Sequence, residues 1–245
     1  MASYLMFEKL KKYYLNQQFN PNYFGILLNP FYFARKALRE EIGNLASNLQ
    51  GKILDVGCGT KPYRELFNCT EYIGLEIDSE QNRKSKQADY YYDGLTFPFD
   101  NASFDGVICN QVLEHVFTPD SFLLEINRVL KVNGKLLLTV PFVWDEHEQP
   151  YDFARYSSFG LKSLLEKSGF EVIQQRKTND DARVLFQLLN AYLYKAFRTS
   201  NAKINLLVCL CVMGPINIFG VIVSKLLPKN QDLYLDQVVL AIKKA

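Results

Sequence analysis

The stretch Ile53-Leu54-Asp55-Val56-Gly57-Cys58-Gly59 decides the fold of this 245-residue chain. An apolar run leads directly into an acidic turn that holds two glycines one residue apart. Glycine lets the backbone bend sharply there and approach a ligand closely, because a side chain would block the approach. Glycine pairs also close ordinary strand-to-helix turns, so the stretch alone leaves a nucleotide-type cofactor site and a plain turn as alternatives.

Further polar turns follow at the ends of later apolar runs. Tyr72–Asp78 reads as a second strand with acidic residues at its end, where a carboxylate can accept both hydroxyls of a ribose. The stretch Asp93–Phe99 comes next, then a strand within Ser103–His115 that ends in a polar elbow, and then the strand Lys135–Val140. Strands that alternate with helices predict an α/β fold with a doubly wound, mostly parallel sheet and a ligand crevice at the strands' carboxyl ends.

This order of motifs resembles the class I S-adenosylmethionine-dependent methyltransferases, in particular those with a type 11 or ubiquinone-type methyltransferase domain. The resemblance covers about Leu49 to Ile173 and resumes at Tyr234–Ile242. It implies a Rossmann-like, seven-stranded sheet, S-adenosyl-L-methionine as cofactor and methyl transfer as the activity. One departure is that the family commonly has a third glycine where this chain has Lys61, followed by Pro62.

The resemblance also implies which residues bind the cofactor. The first turn wraps the methionine part of the cofactor, the end of the second strand binds the ribose, the third turn flanks the adenine, and the fourth elbow lines the amino-acid end. In that order, the residues are Asp55, Gly57, Cys58 and Gly59; Glu76 and Ile77; Asp93 and Gly94; and Asn110 and Gln111.

Two other functions stay open at this point. An NAD-dependent oxidoreductase is disfavoured, because a dinucleotide site needs a third glycine where the helix begins, and this chain has Pro62 there. A non-catalytic scaffold or regulatory subunit that binds the cofactor is the second alternative, motivated by the unusual Lys61-Pro62 pair.

The candidate catalytic residues are the two histidines, His115 and His147, each of which follows a strand end. His147 either takes a proton from the acceptor or contacts it, and His115 either does the same or bonds to backbone in a helix. Glu146, His147 and Glu148 are adjacent and point in different directions, so we expect no metal site.

The predicted acceptor residues are Tyr151, Asp152, Arg155 and Tyr156. Their block resembles one found in bacterial methyltransferases of surface-glycan and lipid-linked pathways. It implies a small or lipid-linked acceptor. The cofactor turns together with the apolar, basic insertion at residues 180–229 lead us to expect methylation at oxygen rather than carbon. Asp152 and Arg155 either hold a polar acceptor or pair with each other.

Composition excludes some partners. The net charge of +2 is too small for nucleic-acid binding, which needs a dense basic face. The five cysteines show no paired spacing, so neither disulfides nor zinc is expected, and the start of the chain lacks a secretory pattern. We therefore expect a cytoplasmic protein, and the oligomeric state is left open.

Three regions are expected. Residues 1–48 form an N-terminal helical cap with Leu5, Phe7, Leu10 and Tyr14 at helical spacing, residues 49–179 and 230–245 form the methyltransferase domain, and residues 180–229 form an apolar, basic helical insertion.

The insertion contains Ile204–Ser224, which is uncharged and long enough to cross a membrane. A single crossing is excluded because Tyr234–Ile242 must return to the sheet. Gly214-Pro215 therefore predicts a break that makes a re-entrant or interfacial hairpin. The ionisable residues from Arg183 to Lys229, tyrosine and cysteine aside, are all basic, which favours contact with the inner membrane face; a lid or a dimer interface is the alternative.

Overall fold

The computed structural model describes Tyr13 and Gln17–Lys244. The prediction of an N-terminal helix through Leu5, Phe7, Leu10 and Tyr14 lies outside these residues.

A seven-stranded sheet with the order β3-β2-β1-β4-β5-β7-β6 forms the centre of the fold. The first five strands in chain order pair in parallel, and β7 runs antiparallel to β5. The strands are β1 Lys52–Val56, β2 Glu71–Ile77, β3 Tyr90–Tyr92, β4 Phe104–Asn110, β5 Leu130–Pro141, β6 Phe170–Lys177 and β7 Asp236–Lys243. This confirms the predicted α/β fold with a mostly parallel sheet.

The central strands are apolar on both faces because helices cover both sides of a parallel sheet. In β5, Leu136, Leu137 and Leu138 are all fully buried. The helices span Gly25–Leu28, Tyr32–Ala46, Glu80–Ser85, Pro119–Val129, Ser158–Lys167, Arg183–Phe197 and Ala202–Leu226.

One predicted helix is wrong. The alternation of strands and helices in the sequence predicts a helix at about residues 61–67, whereas the chain forms only a short 3-10 turn at Arg64–Leu66. Lys61 adopts a left-handed backbone conformation with φ of 54°. A residue in that region cannot start a right-handed helix, so the helical stretch is cut short.

The chain divides into two compact units. One contains the sheet and comprises Glu41–Arg176 and the residues from Asp236 onward. The other is helical and comprises the described residues up to Glu40 together with Lys177–Leu235. The N-terminal segment and the insertion thus belong to one unit, although the sequence analysis treated them as separate regions.

Buried amide side chains organise the helical unit. The Oε1 atom of the fully buried Gln187 accepts hydrogen bonds from the backbone N–H groups of Phe33 (3.0 Å) and Ala34 (3.2 Å), and its Nε2 donates to the carbonyl of Pro30. The first amides of a helix have no partner within the helix, so Gln187 supplies it for Tyr32–Ala46.

The long apolar helix, Ala202–Leu226, is continuous, so the predicted break at Gly214-Pro215 is wrong. Cys209–Met213 form a π turn directly before the proline, and the N–H of Gly214 donates to the carbonyl of Cys209. Proline normally disrupts a helix because it lacks an N–H and its ring clashes with the carbonyl four residues earlier. A π turn is wider than an α turn, and here it accommodates the proline within one helix.

The insertion carries less uncompensated positive charge than its number of basic residues suggests. Arg183 forms a salt bridge with Asp181 (2.7 Å), and Lys229 forms one with Asp180 (3.0 Å). Both acids lie just before the counted stretch, so these two cations are neutralised locally. Lys203 and Lys225, near the two ends of the long apolar helix, are exposed.

Substitution of Gln187 tests this packing. We expect Gln187→Leu to lower the free energy of unfolding by about 2–4 kcal/mol, because two buried N–H groups and one carbonyl lose their partner. Urea denaturation followed by circular dichroism measures the change. Leu185→Gln, at an exposed position of the same helix, is the control and should change stability by less than about 0.5 kcal/mol. Equal effects of the two substitutions would contradict the assigned network.

Candidate active site

The turn after β1 has the geometry that its glycines allow. Gly57 has φ of 69°, and a Cβ atom added there would lie 2.3 Å from Cγ2 of Val112. Gly59 has φ of 49°, and a Cβ atom there would meet no described atom within 4 Å. Gly57 is thus required for the approach of the β4 elbow, and Gly59 faces open space.

Lys61 occupies a glycine-like conformation but does not add charge to the turn. Its Nζ forms a salt bridge with Oδ2 of Asp89 (2.6 Å), and the same oxygen accepts from the N–H of Gly74 (2.7 Å). The positive φ of Lys61 explains why the resembling family commonly has glycine here. The departure at this position is therefore accommodated within the fold.

Glu76, at the end of β2, joins the second strand to the glycine turn. Its Oε1 accepts from the N–H of Gly59 (2.7 Å), and its Oε2 accepts from Nδ2 of Asn82 (3.2 Å). Burial raises the pKa of this carboxyl group, and the negative charge of Glu148 adds to the effect. Each carboxylate oxygen can accept a further hydrogen bond.

Asp55 is buried beneath the turn. Burial raises the pKa of its carboxyl group to about 7, against the opposing effect of the hydroxyl of Tyr72, which donates to Oδ2 at 2.7 Å. Burial likewise raises the pKa of the neighbouring Cys58 thiol to about 12, so this thiol stays protonated and is a poor nucleophile at neutral pH.

The turn at Asp93 and Gly94 lies beside an exposed apolar side chain, that of Ile77. Ile77 is 48% exposed at the end of β2, and a Cβ atom added at Gly94 would lie 3.5 Å from its Cδ1. Asp93 accepts hydrogen bonds from the N–H groups of Leu95 and Thr96 through Oδ1, which lowers the pKa of its carboxyl group. The carboxylate therefore shapes this turn.

The β4 elbow is fixed by a residue that the sequence analysis missed. The hydroxyl of Thr139, on β5, donates to Oδ1 of Asn110 (2.8 Å) and accepts from the N–H of Gln111 (3.1 Å). Gln111 itself has φ of 55°. Thr139 is fully buried, and the only signal for it in the sequence is a polar residue inside an apolar strand.

The structure brings the two histidines together. The ring centroids of His115 and His147 are 4.8 Å apart, with an interplanar angle of 79°. The Nδ1 atom of His115 lies 2.9 Å from the carbonyl oxygen of Tyr151, and that of His147 lies 3.2 Å from the carbonyl oxygen of Asp145. Burial lowers the pKa of His147, so its ring is neutral at pH 7.

Glu114, beside this pair, was also missed by the sequence analysis. Its side chain is fully buried, and neither carboxylate oxygen has a hydrogen-bond partner within the described part of the chain. Burial raises the pKa of its carboxyl group to about 8. One ligand atom from each of Glu114, His115 and His147 lies within 4.8 Å of the others.

Two charged side chains of the predicted acceptor block, Asp152 and Arg155, bind each other and other groups of the same loop. The guanidinium of Arg155 binds both carboxylate oxygens of Asp152, at 2.5 Å and 2.7 Å, which lowers the pKa of Asp152 to about 2. Asp152 also accepts from the N–H of His147. Of the two alternatives, the structure therefore has Asp152 and Arg155 paired with each other, and the pair holds the His147 loop.

The two tyrosines of the block make separate contacts. Tyr151 is exposed and contributes its backbone carbonyl to His115, whereas Tyr156 packs against the apolar core and accepts a hydrogen bond from Gln237 through its carbonyl.

Comparisons with known proteins agree with this geometry. The methyltransferase domain family model matches residues 54–138. The O-methyltransferase rstn1 of Aspergillus nomiae is 30% identical over 166 residues, which cover 58% of this chain and 74% of that protein. The uncharacterized protein MJ0638 of Methanocaldococcus jannaschii is 36% identical over 127 residues, which cover 49% of this chain and 54% of that protein.

A solved structure shows the same fold. The phosphoethanolamine N-methyltransferase 2 of Haemonchus contortus, in complex with phosphomonomethylethanolamine and S-adenosylhomocysteine, superposes with a TM-score of 0.54 at 18% identity. The superposition covers 91% of this chain and 56% of that chain. At this identity the similarity concerns the fold alone.

Substitution of Glu76 tests whether the turns at the strand ends bind the cofactor. We expect Glu76→Ala to weaken the binding of S-adenosylhomocysteine by about 10- to 100-fold, the loss for a hydrogen bond to a charged group. Isothermal titration calorimetry measures the dissociation constant. Glu71→Ala, at the other end of the same strand, is the matched control and should bind normally. Normal binding by Glu76→Ala would show that this carboxylate does not contact the cofactor.

Proposed function

Because this chain belongs to the class I S-adenosylmethionine-dependent methyltransferases, we propose that it methylates an oxygen atom of a lipid-linked or other amphipathic acceptor. S-adenosyl-L-methionine is the cofactor of this family, and when bound it supplies an electrophilic methyl group. The protein's main task is then to hold the acceptor in line with that group, which can contribute up to about 7–11 kcal/mol.

The residues of the sheet edge fit this cofactor. A Cβ atom at Gly59 would stand in open space, so the turn leaves room for a ligand against its backbone. Glu76 lies directly beside this turn, and the exposed Ile77 offers an apolar surface for a base. These residues would hold the cofactor, together with Asp93, Gly94, Asn110 and Gln111.

The acceptor side of the proposal rests on one observation, the meeting of His115 and His147. They follow different strands, yet their rings are in contact. The negative charge of Glu148, in the His147 loop, raises the pKa of Glu76. This effect indicates that the loop lies near the proposed cofactor site. Oxygen is favoured over carbon because a hydroxyl nucleophile needs such polar groups to orient it and to help remove its proton. The similarity to rstn1, an O-methyltransferase by name, agrees with this choice.

The lipid-linked acceptor is supported by the long apolar helix, Ala202–Leu226. Only 28% of its most apolar 18-residue window is buried. Its exposed large apolar residues are Ile204, Leu207, Leu210, Ile218, Phe219, Ile222 and Leu226. The strands before and after this helix, β6 and β7, belong to one sheet, which argues against a single membrane crossing. We therefore propose that the helix lies in the membrane interface on the cytoplasmic face, with Lys203 and Lys225 near anionic lipids.

Label transfer tests the activity. With methyl-labelled S-adenosylmethionine, we expect label to enter a product extracted into organic solvent from a membrane fraction, and base-stable linkage would indicate an ether. His147→Ala should lower the rate about 100-fold or more, because the acceptor loses a positioned polar group. Gln149→Ala, exposed in the same loop, is the control and should leave the rate near normal. Cofactor binding without transfer to membrane or soluble fractions would favour a non-catalytic scaffold.

Flotation with vesicles tests the membrane contact separately. We expect the protein to float with vesicles that contain phosphatidylglycerol, and a variant with Leu207→Glu, Phe219→Glu and Ile222→Glu to stay at the bottom, because charges in the interface oppose apolar insertion. The control carries the same three charges at Leu124, Val132 and Phe159, which are exposed in the sheet unit. If both variants float equally, the helix does not mediate membrane contact.

A further inference from the structure

We infer that Glu114, His115 and His147 bind a divalent transition-metal ion that holds the acceptor oxygen. This inference deepens the proposed function and rests on it for the identity of the acceptor. The adjacent residues 146–148 alone predict no metal site, because they point in different directions. The structure instead combines residues from the elbows after β4 and β5.

The distances suit one ion after a small adjustment. The three ligand atoms lie within 4.8 Å of one another, and Nε2 of His115 is 3.9 Å from Oε1 of Glu114. Two ligands of one zinc ion, each about 2.0–2.2 Å from it, are separated by about 3.4 Å in tetrahedral geometry. Side-chain rotations that move each ligand atom by less than about 1 Å would bring all three to bonding distance from one ion.

Backbone contacts set both histidines in the tautomer that binds metals. A carbonyl oxygen only accepts hydrogen bonds, so Nδ1 of His115 donates to Tyr151 and Nδ1 of His147 donates to Asp145. Each ring therefore carries its lone pair on Nε2. This arrangement, with one nitrogen donating to a fixed carbonyl and the other free, is the usual environment of a metal-ligating histidine.

Glu114 supplies a reason for a cation at this place. A buried carboxylate without a partner is costly, and buried polar groups in folded proteins are nearly always satisfied. The guanidinium of Arg155, a cation near Glu114, is already paired with Asp152, and Asp236 also acts on Glu114 electrostatically. A divalent ion at this place would bind the carboxylate oxygens of Glu114, to which no described side chain donates a hydrogen bond.

The set also leaves a coordination position open. His115 and His147 retain 18% and 29% of their side-chain exposure, whereas Glu114 is fully buried, so the ion would be approached from the histidine side. Three protein ligands with one open position are typical of catalytic zinc, and two imidazoles with one carboxylate also suit iron(II), cobalt(II) and manganese(II).

The ion would act on the acceptor hydroxyl. Coordination through oxygen lowers the pKa of a hydroxyl, so its proton passes to water. The oxygen then forms a bond with the methyl carbon while the carbon–sulfur bond breaks, and that electron pair stays on sulfur to give neutral S-adenosylhomocysteine. No oxidant or reductant is needed.

Metal titration tests the site. The purified full-length protein is treated with EDTA, dialysed, and titrated with Zn²⁺ and separately with Co²⁺, whose visible absorption reports its coordination. We expect one ion per chain, and at least 100-fold weaker binding in Glu114→Gln, His115→Ala and His147→Ala. Circular dichroism and binding of S-adenosylhomocysteine, both unchanged, would show that the variants are folded.

Glu146→Gln is the matched control, since Glu146 lies in the same loop as His147 but outside the set. Its affinity for the ion should be normal. If Glu146→Gln weakens binding as much as Glu114→Gln, the loop holds an adventitious ion only and the inference is wrong. Absence of stoichiometric binding at micromolar metal would overturn it as well.

Activity separates this inference from the proposed function. We expect EDTA-treated protein to lose methyltransferase activity. The activity should return when Zn²⁺ or Co²⁺ is added and binds at the site. Full transfer by metal-free protein would overturn the metal site while the proposed function stands. A bound metal without transfer to any fraction would leave the site in place and overturn the proposed function.

Discussion

The parallel pairing of β1 with β2 and β4, and of β4 with β5, is the constraint on which the active site depends. Parallel strands end at one edge, so residues far apart in the chain fall into one row there. The register places Asp55 beside Gly74 and Ile108, and Asn110 beside Thr139. A slip of one residue would turn each side chain of a strand to the opposite face, and the polar residues at the strand ends would no longer lie side by side.

The sequence predicts the parts of the site that local chemistry determines. The left-handed conformations at Gly57 and Gly59 and the carboxylate that ends β2 follow from short-range patterns. The contact of His115 with His147 does not, because it depends on how two elbows approach across the sheet. Glu114 and Thr139 were missed for the same reason: each is a polar residue within an apolar or helical pattern, and only its surroundings show what it contacts.

The long apolar helix shows a different limit of sequence reasoning. A proline inside a helical pattern predicts a break, because in an α-helical turn its ring clashes with the carbonyl group four residues earlier. The π turn at Cys209–Met213 changes that turn and removes the reason for the break. The consequence for function is concrete: a continuous helix cannot enter and leave a bilayer through one face. It must instead lie along the interface or be covered by protein, and its exposed apolar residues then need a partner.

The buried polar side chains differ in how far their hydrogen bonds explain their burial. In the helical unit, Gln187 and Asn217 each satisfy several backbone groups, so their burial stabilises the fold. An unpaired amide oxygen, such as that of Asn190, is neutral and costs about 1–3 kcal/mol. Glu114 is ionisable, and no described side chain donates a hydrogen bond to either of its carboxylate oxygens. Its location beside two histidines of fixed tautomer suits a bound cation, which would take the carboxylate oxygens as ligands.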